Sequence, residues 1–176
     1  MAERHNFKED LAWANSLEHE PFWLEVYKKY FPAIQGSLKV NDNQDWQRRG
    51  VDRILFMPEE YRIYTEEKPR KKVYPDIALE YLTDIDKNTP GWITKDDMLT
   101  DYFVYAFKPI KTAYIIPWPA LRRAWVKYGE EWKDEYKSFR SETARWDGGT
   151  YWSKGAGIPI EVLTEAVDNR VAKIVV

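Results

Sequence analysis

The sequence predicts a single α/β domain in which helices pack against a β-sheet, and three patterns carry that expectation. Val51 to Met57 and Tyr61 to Lys68 are β-branched or alternating runs separated by Pro58-Glu59-Glu60, as in a hairpin. Asp101 to Phe107 and Lys111 to Ile116 are apolar or aromatic on both faces, the mark of strands in the middle of a sheet. Trp23, Val26, Tyr27 and Tyr30 recur at i, i+3, i+4 and i+7, and Leu121, Ala124, Trp125 and Tyr128 repeat the spacing. Two helices thus each offer one apolar stripe to the sheet.

The remaining elements follow in chain order. Phe7, Leu11, Ala14 and Leu17 have helical spacing and predict a first helix within residues 1–18. Pro21 is favoured in a first turn and opens the helix carrying Trp23. Ser37 to Val40 is a short strand, and Asn41-Asp42-Asn43-Gln44-Asp45 is turn chemistry that leaves Trp46 and Gln47 close to the hairpin. Asp76 to Leu82 alternates, with Asp76, Ala78, Glu80 and Leu82 on one face and Ile77, Leu79 and Tyr81 on the other. Lys87 to Asp97 is a loop from which Trp92 protrudes, either as a platform for a base or, more simply, as a plug for the core. Pro117-Trp118-Pro119 ends a strand, and residues 130–149 are polar up to the turn signal Asp147-Gly148-Gly149 before Tyr151 and Trp152. Pro159 opens a last short helix through Ile160, Leu163 and Val167, and Ile174 to Val176 adds an edge strand.

A length of 176 residues suits one domain over 1–176 with its own core. Hydrophobic residues at 44% and aromatics at 16% separate the chain from disordered sequences, and no repeat or low-complexity linker divides it. Cysteine is absent, which removes disulfides, thiol catalysis and thiolate zinc sites. His5 and His19 are not spaced as a metal pair, no Gly-x-Ser-x-Gly occurs, and the glycines form no phosphate-cradling loop. The formal net charge of -2 means that any contact with nucleic acid must use a local patch. No apolar run approaches a membrane span and the amino-terminal stretch lacks a signal-like core, so the expectation is a cytoplasmic protein without a membrane partner.

The chemistry left is that of carboxylates and metal, and the first hairpin supplies it. Asp52 heads one strand directly after Gly50-Val51; on the next, Glu66 and Lys68 share a face while Glu67 points the opposite way. Hairpin pairing brings Asp52, Glu66 and Lys68 onto one patch. Carboxylate oxygens suit a hard divalent cation such as Mg2+ or Mn2+. The lysine can stabilise an anionic phosphorane-like transition state or, with its pKa lowered, help to position or deprotonate the attacking water. Phosphodiester hydrolysis needs all three parts. The plainer reading is that Glu-x-Lys belongs to the charge-rich, solvated end of a hairpin, since Thr65 to Lys72 holds six formal charges.

Gly50-Val51-Asp52 followed by Glu66-x-Lys68 on the next strand resembles the signature of the PD-(D/E)XK nuclease superfamily, which includes restriction endonucleases, Holliday-junction resolvases and phage exonucleases. The resemblance implies a restriction-endonuclease-like core: an α-β-β-β-α-β order, a mixed central sheet and helices on both faces. It also implies a metal-dependent nuclease in which Asp52 and Glu66 hold Mg2+ or Mn2+ and Lys68 serves the water. Gln47 matches polar residues found before the glycine in resolvase-like members. The match covers roughly residues 20–125 in order of elements, and its diagnostic part is three residues. Two positions depart from the pattern. Val51 stands where the family usually has proline, and Glu67 is charged where the position is often apolar, which requires solvent or a cationic partner, Arg53 or Arg70, on the opposite face.

Further residues are candidates for auxiliary roles. Glu20 is either the extra acid that the family's first helix often supplies or a plain helix N-terminal acid. Glu80 is either an auxiliary acid beside the site or a solvent-facing residue. Arg70, Lys71 and Lys72, directly after the lysine, and Arg122 and Arg123, on a helix flank, are candidate phosphate contacts or solvated faces. DNA is the expected partner ahead of RNA on the strength of the resemblance, and a homodimer is what duplex cleavage by one small domain commonly calls for. The rival class is a non-catalytic module binding nucleic acid or protein on a nuclease-like or other aromatic-rich scaffold, since nine tryptophans and twelve tyrosines can furnish such a surface.

Overall fold

The computed structural model describes residues 4–5, 20–40, 42–144 and 149–176; the expected helix through Phe7, Leu11, Ala14 and Leu17 and the turn at Asp147-Gly148 lie outside them. Among the described residues, two sheets and four α-helices form a mixed α/β architecture. In the six-stranded sheet the order is β11 (Ala172–Val175), β8 (Thr112–Pro117), β7 (Tyr102–Phe107), β4 (Arg62–Arg70), β3 (Arg53–Phe56) and β2 (Gly36–Lys39). Every pair is antiparallel except β4 with β7. The five-stranded sheet runs β1 (Arg4–His5), β9 (Ser138–Ala144), β10 (Thr150–Pro159), β5 (Asp76–Asp84) and β6 (Thr89–Pro90).

Helix α1 (Glu20–Tyr30) lays its predicted stripe on one face of the larger sheet. Trp23, Val26 and Tyr27 are buried against Leu55, Ile63, Val104, Ala106, Ala113 and Ile115. Burial of each such side chain contributes roughly 1.5–3 kcal/mol, so this stripe is the main bond between helix and sheet. On the opposite face, Phe103, Tyr105 and Phe107 of β7 meet Ile77, Leu79 and Tyr81 of β5, Ala156 and Ile158 of β10, and Leu121, Ala124 and Trp125 of helix α3 (Trp118–Glu135). Strand β7 is thus covered on both sides, as its unbroken apolar sequence predicts. Helix α2 (Gln44–Arg48) is a short turn ahead of β3, and α4 (Ile160–Ala166) follows Pro159 and buries Leu163.

Three expectations are corrected. Parallel strands need a crossover connection, and between β4 and β7 it is built from β5 and β6, where the α-β-β-β-α-β order would put a helix. Helix α3 starts at Trp118, with Pro119 in its first turn, and runs to Glu135. The polar stretch from Glu130 is therefore the solvent side of a helix whose Trp132 is buried, and proline is accommodated because the first-turn amides have no partner to lose. The second sheet was not legible: β9 reads Ser-Phe-Arg-Ser-Glu-Thr-Ala, without apolar alternation, and β10 contains Gly155 and Gly157. Glycine weakens strand preference, but a Cβ at Gly155 would lie 2.7 Å from the Leu79 carbonyl oxygen, so tertiary pairing selects what local propensity does not.

Between α1 and the sheet lies a charged cluster. Arg53 is fully buried; its Nε donates to Glu67 Oε1 at 2.6 Å, and its two terminal nitrogens donate to Glu20 Oε1 and Oε2 at 2.5 and 2.8 Å. Nη1 also reaches Ser37 Oγ at 3.2 Å, and the Tyr27 hydroxyl donates to Glu67 Oε1 at 2.9 Å while lying 3.0 Å from Thr65 Oγ1. The partner required by Glu67 is therefore Arg53, not Arg70. Removing one member of a buried pair strands the other charge, so Arg53→Met should destabilise the protein by about 3–5 kcal/mol. Urea unfolding should show the midpoint falling with its slope unchanged; a loss below about 1 kcal/mol would mean the cluster is not desolvated as the burial indicates.

Candidate active site

The site starts from a helix that must end abruptly. Asn43 caps α2, its side-chain oxygen accepting from the Asp45 and Trp46 amides at 3.0 and 3.3 Å. The chain then turns through Gly50, whose φ is +68° and where a Cβ would lie 2.0 Å from Met98 Cε. Only glycine adopts this conformation in this space without strain, and its carbonyl accepts the Thr100 hydroxyl. The turn sends Val51 into a small core with Val40 and Ile54 and aims Asp52 at the head of β3.

Arg53 pairs with Thr65, so one step earlier Asp52 stands opposite Glu66. Its amide donates to the Thr65 carbonyl at 2.9 Å, and its Oδ2 accepts the Glu67 amide at 2.8 Å. Lys68 Nζ donates to Glu66 Oε1. Alternation along β4 thus separates two charged systems: Thr65 and Glu67 face Arg53 and α1, whereas Glu66 and Lys68 share the other face with Asp52. Glu80 joins from β5, its charge acting on Lys68 and its Oε1 accepting the Thr83 hydroxyl at 2.9 Å. The patch therefore sits where the two sheets approach.

Its electrostatics follow from crowding. Burial, reinforced by the negative charge of Glu66, pushes the Asp52 carboxyl up to about 8, against the opposing pull of Lys68. Burial works against the Lys68 ammonium, but Glu66, Asp52 and Glu80 outweigh it and hold its pKa above the ordinary lysine value. Lys68 is accordingly a standing cation, which suits charge stabilisation and not proton abstraction from water. Asp52 thus resists ionising next to Glu66, and two crowded oxygen-donor acids are what a hard divalent cation neutralises. Among the described residues no group of three or more His, Cys, Asp or Glu is set to hold a metal ion. Asp52 and Glu66 are the side chains of the patch that could hold a hard cation, the rest of its shell being left to other oxygen donors.

Other predicted residues are placed as follows. Glu20 is not brought to the patch: α1 turns it toward Arg53 on the opposite face, and the hydrogen bond from Arg53 holds its carboxyl below the usual range. It anchors a buried guanidinium. Gln47 is exposed on α2, and its carbonyl accepts the Gly50 amide at 3.1 Å. Arg70 lies on the patch side of β4, but its Nε donates to the Tyr105 hydroxyl at 2.7 Å. Lys71 and Lys72 are exposed in the turn before β5. Arg122 donates to Asp96 Oδ1 at 3.0 Å, and Arg123 is exposed on α3. Trp92 takes the plug role, stacked on Phe103 at 4.4 Å and 6.2 Å from the Trp118 ring. Trp46 stacks on Tyr64 at 5.6 Å, one alternation from Glu66.

No protein-family model matches the chain, and no curated protein sequence is detectably similar to it. Among the described residues no helix is long and apolar enough to cross a membrane.

The Asp52 shift has a measurable sign. Folding raises this carboxyl from an ordinary 3.8 to about 8, so the folded protein takes up a proton between those values. The stabilisation is complete below the unfolded pKa and is lost as pH rises through the folded one. Metal-free protein should therefore show an Asp52-dependent fall in its urea midpoint from about pH 4 to pH 8 that levels off above, and Asp52→Asn should remove most of it. Parallel profiles for the two proteins would refute the shift.

Proposed function

We propose that the protein is a metal-dependent nuclease that hydrolyses DNA phosphodiesters through Asp52, Glu66 and Lys68. One observation carries the reading: two acids from adjoining strands and an ammonium from the second of them meet on a single face. The resemblance of Gly50-Val51-Asp52 and Glu66-x-Lys68 to the PD-(D/E)XK pattern supports it, as does the mixed sheet on which these residues stand. The β5–β6 crossover stands where a restriction-endonuclease-like arrangement would have a helix.

Asp52 and Glu66 would hold Mg2+ or Mn2+. Bound there, the cation supplies Lewis-acid polarisation of a phosphate oxygen and lowers the pKa of a coordinated water. Lys68, kept cationic by its acidic neighbours, faces the charge that develops on the phosphorane and stabilises it without reorganisation. The negative charge of Glu80, on the second sheet, adds to those that keep this ammonium charged. Gly50 and the Glu67 amide keep Asp52 in place, so positioning is supplied by backbone and not by a flexible side chain.

A second reading has its own observation. Lys68 already has Glu66 as an ion-pair partner, which is also what a non-catalytic module binding nucleic acid or protein would contain.

Cleavage of labelled single-stranded, duplex and branched DNA in Mg2+ or Mn2+ separates the two. Wild type should cut and chelation should stop it. Asp52→Asn, Glu66→Gln and Lys68→Ala should each lose about 100-fold or more in rate. Glu20→Gln, away from the patch, should keep its rate within a few-fold while lowering stability. Equal activity in wild type and Lys68→Ala would defeat the nuclease reading, and binding without cleavage would favour the module.

A further inference from the structure

The row of β4 that carries Glu66 and Lys68 runs back to an aromatic pair. Strand alternation puts Arg62, Tyr64, Glu66 and Lys68 on one face. The packing agrees: Ile63 is buried on the α1 side, whereas Tyr64 packs with Val40, Val51 and Ile54 on the other. Two residues of strand span roughly 6.5 Å, so Tyr64 stands one such step from Glu66. Its backbone is fixed twice by Asp101, the amide donating to Oδ2 and the carbonyl accepting the Asp101 amide, each at 2.8 Å.

Trp46 reaches the same place from the side of the other acid. Its carbonyl accepts the Val51 amide at 3.0 Å, one residue before Asp52. Its indole stacks on Tyr64, with centroids 5.6 Å apart and planes 22° from parallel. Both rings are partly exposed, and among the described residues no third ring continues the stack. Cations flank the pair. Arg62 precedes Tyr64 by one step of the same strand face, and Arg49 follows Trp46 by three residues at the end of α2, a spacing that makes side chains neighbours. Both arginines are exposed, and neither has a carboxylate partner among the described residues. Covering the small core of Val40, Val51 and Ile54 explains the buried edges of the two rings, but it gives the guanidiniums beside them nothing to do. A stack that ends in the open between two such cations matches single-strand recognition, in which bases stack on rings and cations follow the backbone.

We propose that Trp46, backed by Tyr64, stacks the nucleobase next to the phosphate held at Asp52, Glu66 and Lys68, with Arg49 and Arg62 on adjoining phosphates, which makes a DNA strand with unpaired bases the preferred substrate. The inference rests on the nuclease reading of that patch. A base can lie on the indole only when its own face is free. Bases within a duplex have both faces taken by their stacked neighbours, whereas a single strand or a frayed end offers one.

Fluorescein-labelled oligothymidylate, alone or annealed to its complement, would be titrated in Ca2+ and followed by anisotropy with wild type, Trp46→Phe and Trp46→Leu. Leucine keeps an apolar cover over Val51 and Ile54 without a π-face, and matching urea midpoints show that the fold is unchanged. Wild type should bind the single strand more tightly than the duplex. Trp46→Leu should weaken single-strand binding by about 5- to 100-fold, while Trp46→Phe, which keeps a ring, stays within a few-fold of wild type. A single abasic position scanned along the strand should cost wild type a similar factor at one place and cost Trp46→Leu nothing further there. Equal affinity of wild type and Trp46→Leu, tighter binding of the duplex, or no binding by wild type overturns the inference. Trp46-dependent binding without cleavage in Mg2+ would remove the nuclease reading and leave the stacking site; cleavage whose KM is the same in Trp46→Leu would remove the site and leave the nuclease.

Discussion

The buried guanidinium of Arg53 is the constraint on which the architecture depends. A cation with no exposed surface must have its hydrogen-bonding groups met inside the protein, and this one draws on Glu67 from the neighbouring strand, Glu20 from α1 and Ser37 from β2. Four elements are thereby held to one point. The apolar stripe of Trp23, Val26 and Tyr27 supplies the larger part of the attraction, but it is non-directional. The charged cluster decides which part of the helix lies over which strands.

That constraint also arranges the site behind it. Because strand side chains alternate, anchoring Arg53 and Glu67 on the α1 side leaves their neighbours Asp52, Glu66 and Lys68 on the other. Slipping the β3–β4 register by one residue would turn both sets over, burying the wrong charges on each face. The stability of one face and the chemistry proposed for the other therefore use the same register. Gly50 completes the arrangement from the chain itself, since a side chain there would displace Met98 and move Asp52 away from the Glu67 amide.

The second sheet gives the patch its other wall. Its strand β5 serves both as the crossover between the parallel pair β4 and β7 and as the source of Glu80. The loop after β6 is pressed against β5 so closely that a Cβ on Gly91 would lie 2.4 Å from the Glu80 carbonyl oxygen. Trp92 is thereby committed to Phe103 and the core.

Sequence alone determined the elements whose local pattern and burial agree. Both helical stripes, the hairpin with Pro58-Glu59-Glu60 at its turn, the doubly covered strand β7 and the shared face of Glu66 and Lys68 follow from periodicity. The need of Glu67 for a cation follows from the cost of burying charge. Tertiary structure alone decided that the cation is Arg53, that Glu20 serves it instead of the patch, and that a polar, glycine-bearing segment forms β9 and β10. Those choices turn on partners distant in the chain. A carboxylate's partner or a weak strand's pairing depends on what the fold brings within about 3–5 Å, which no spacing along the sequence encodes.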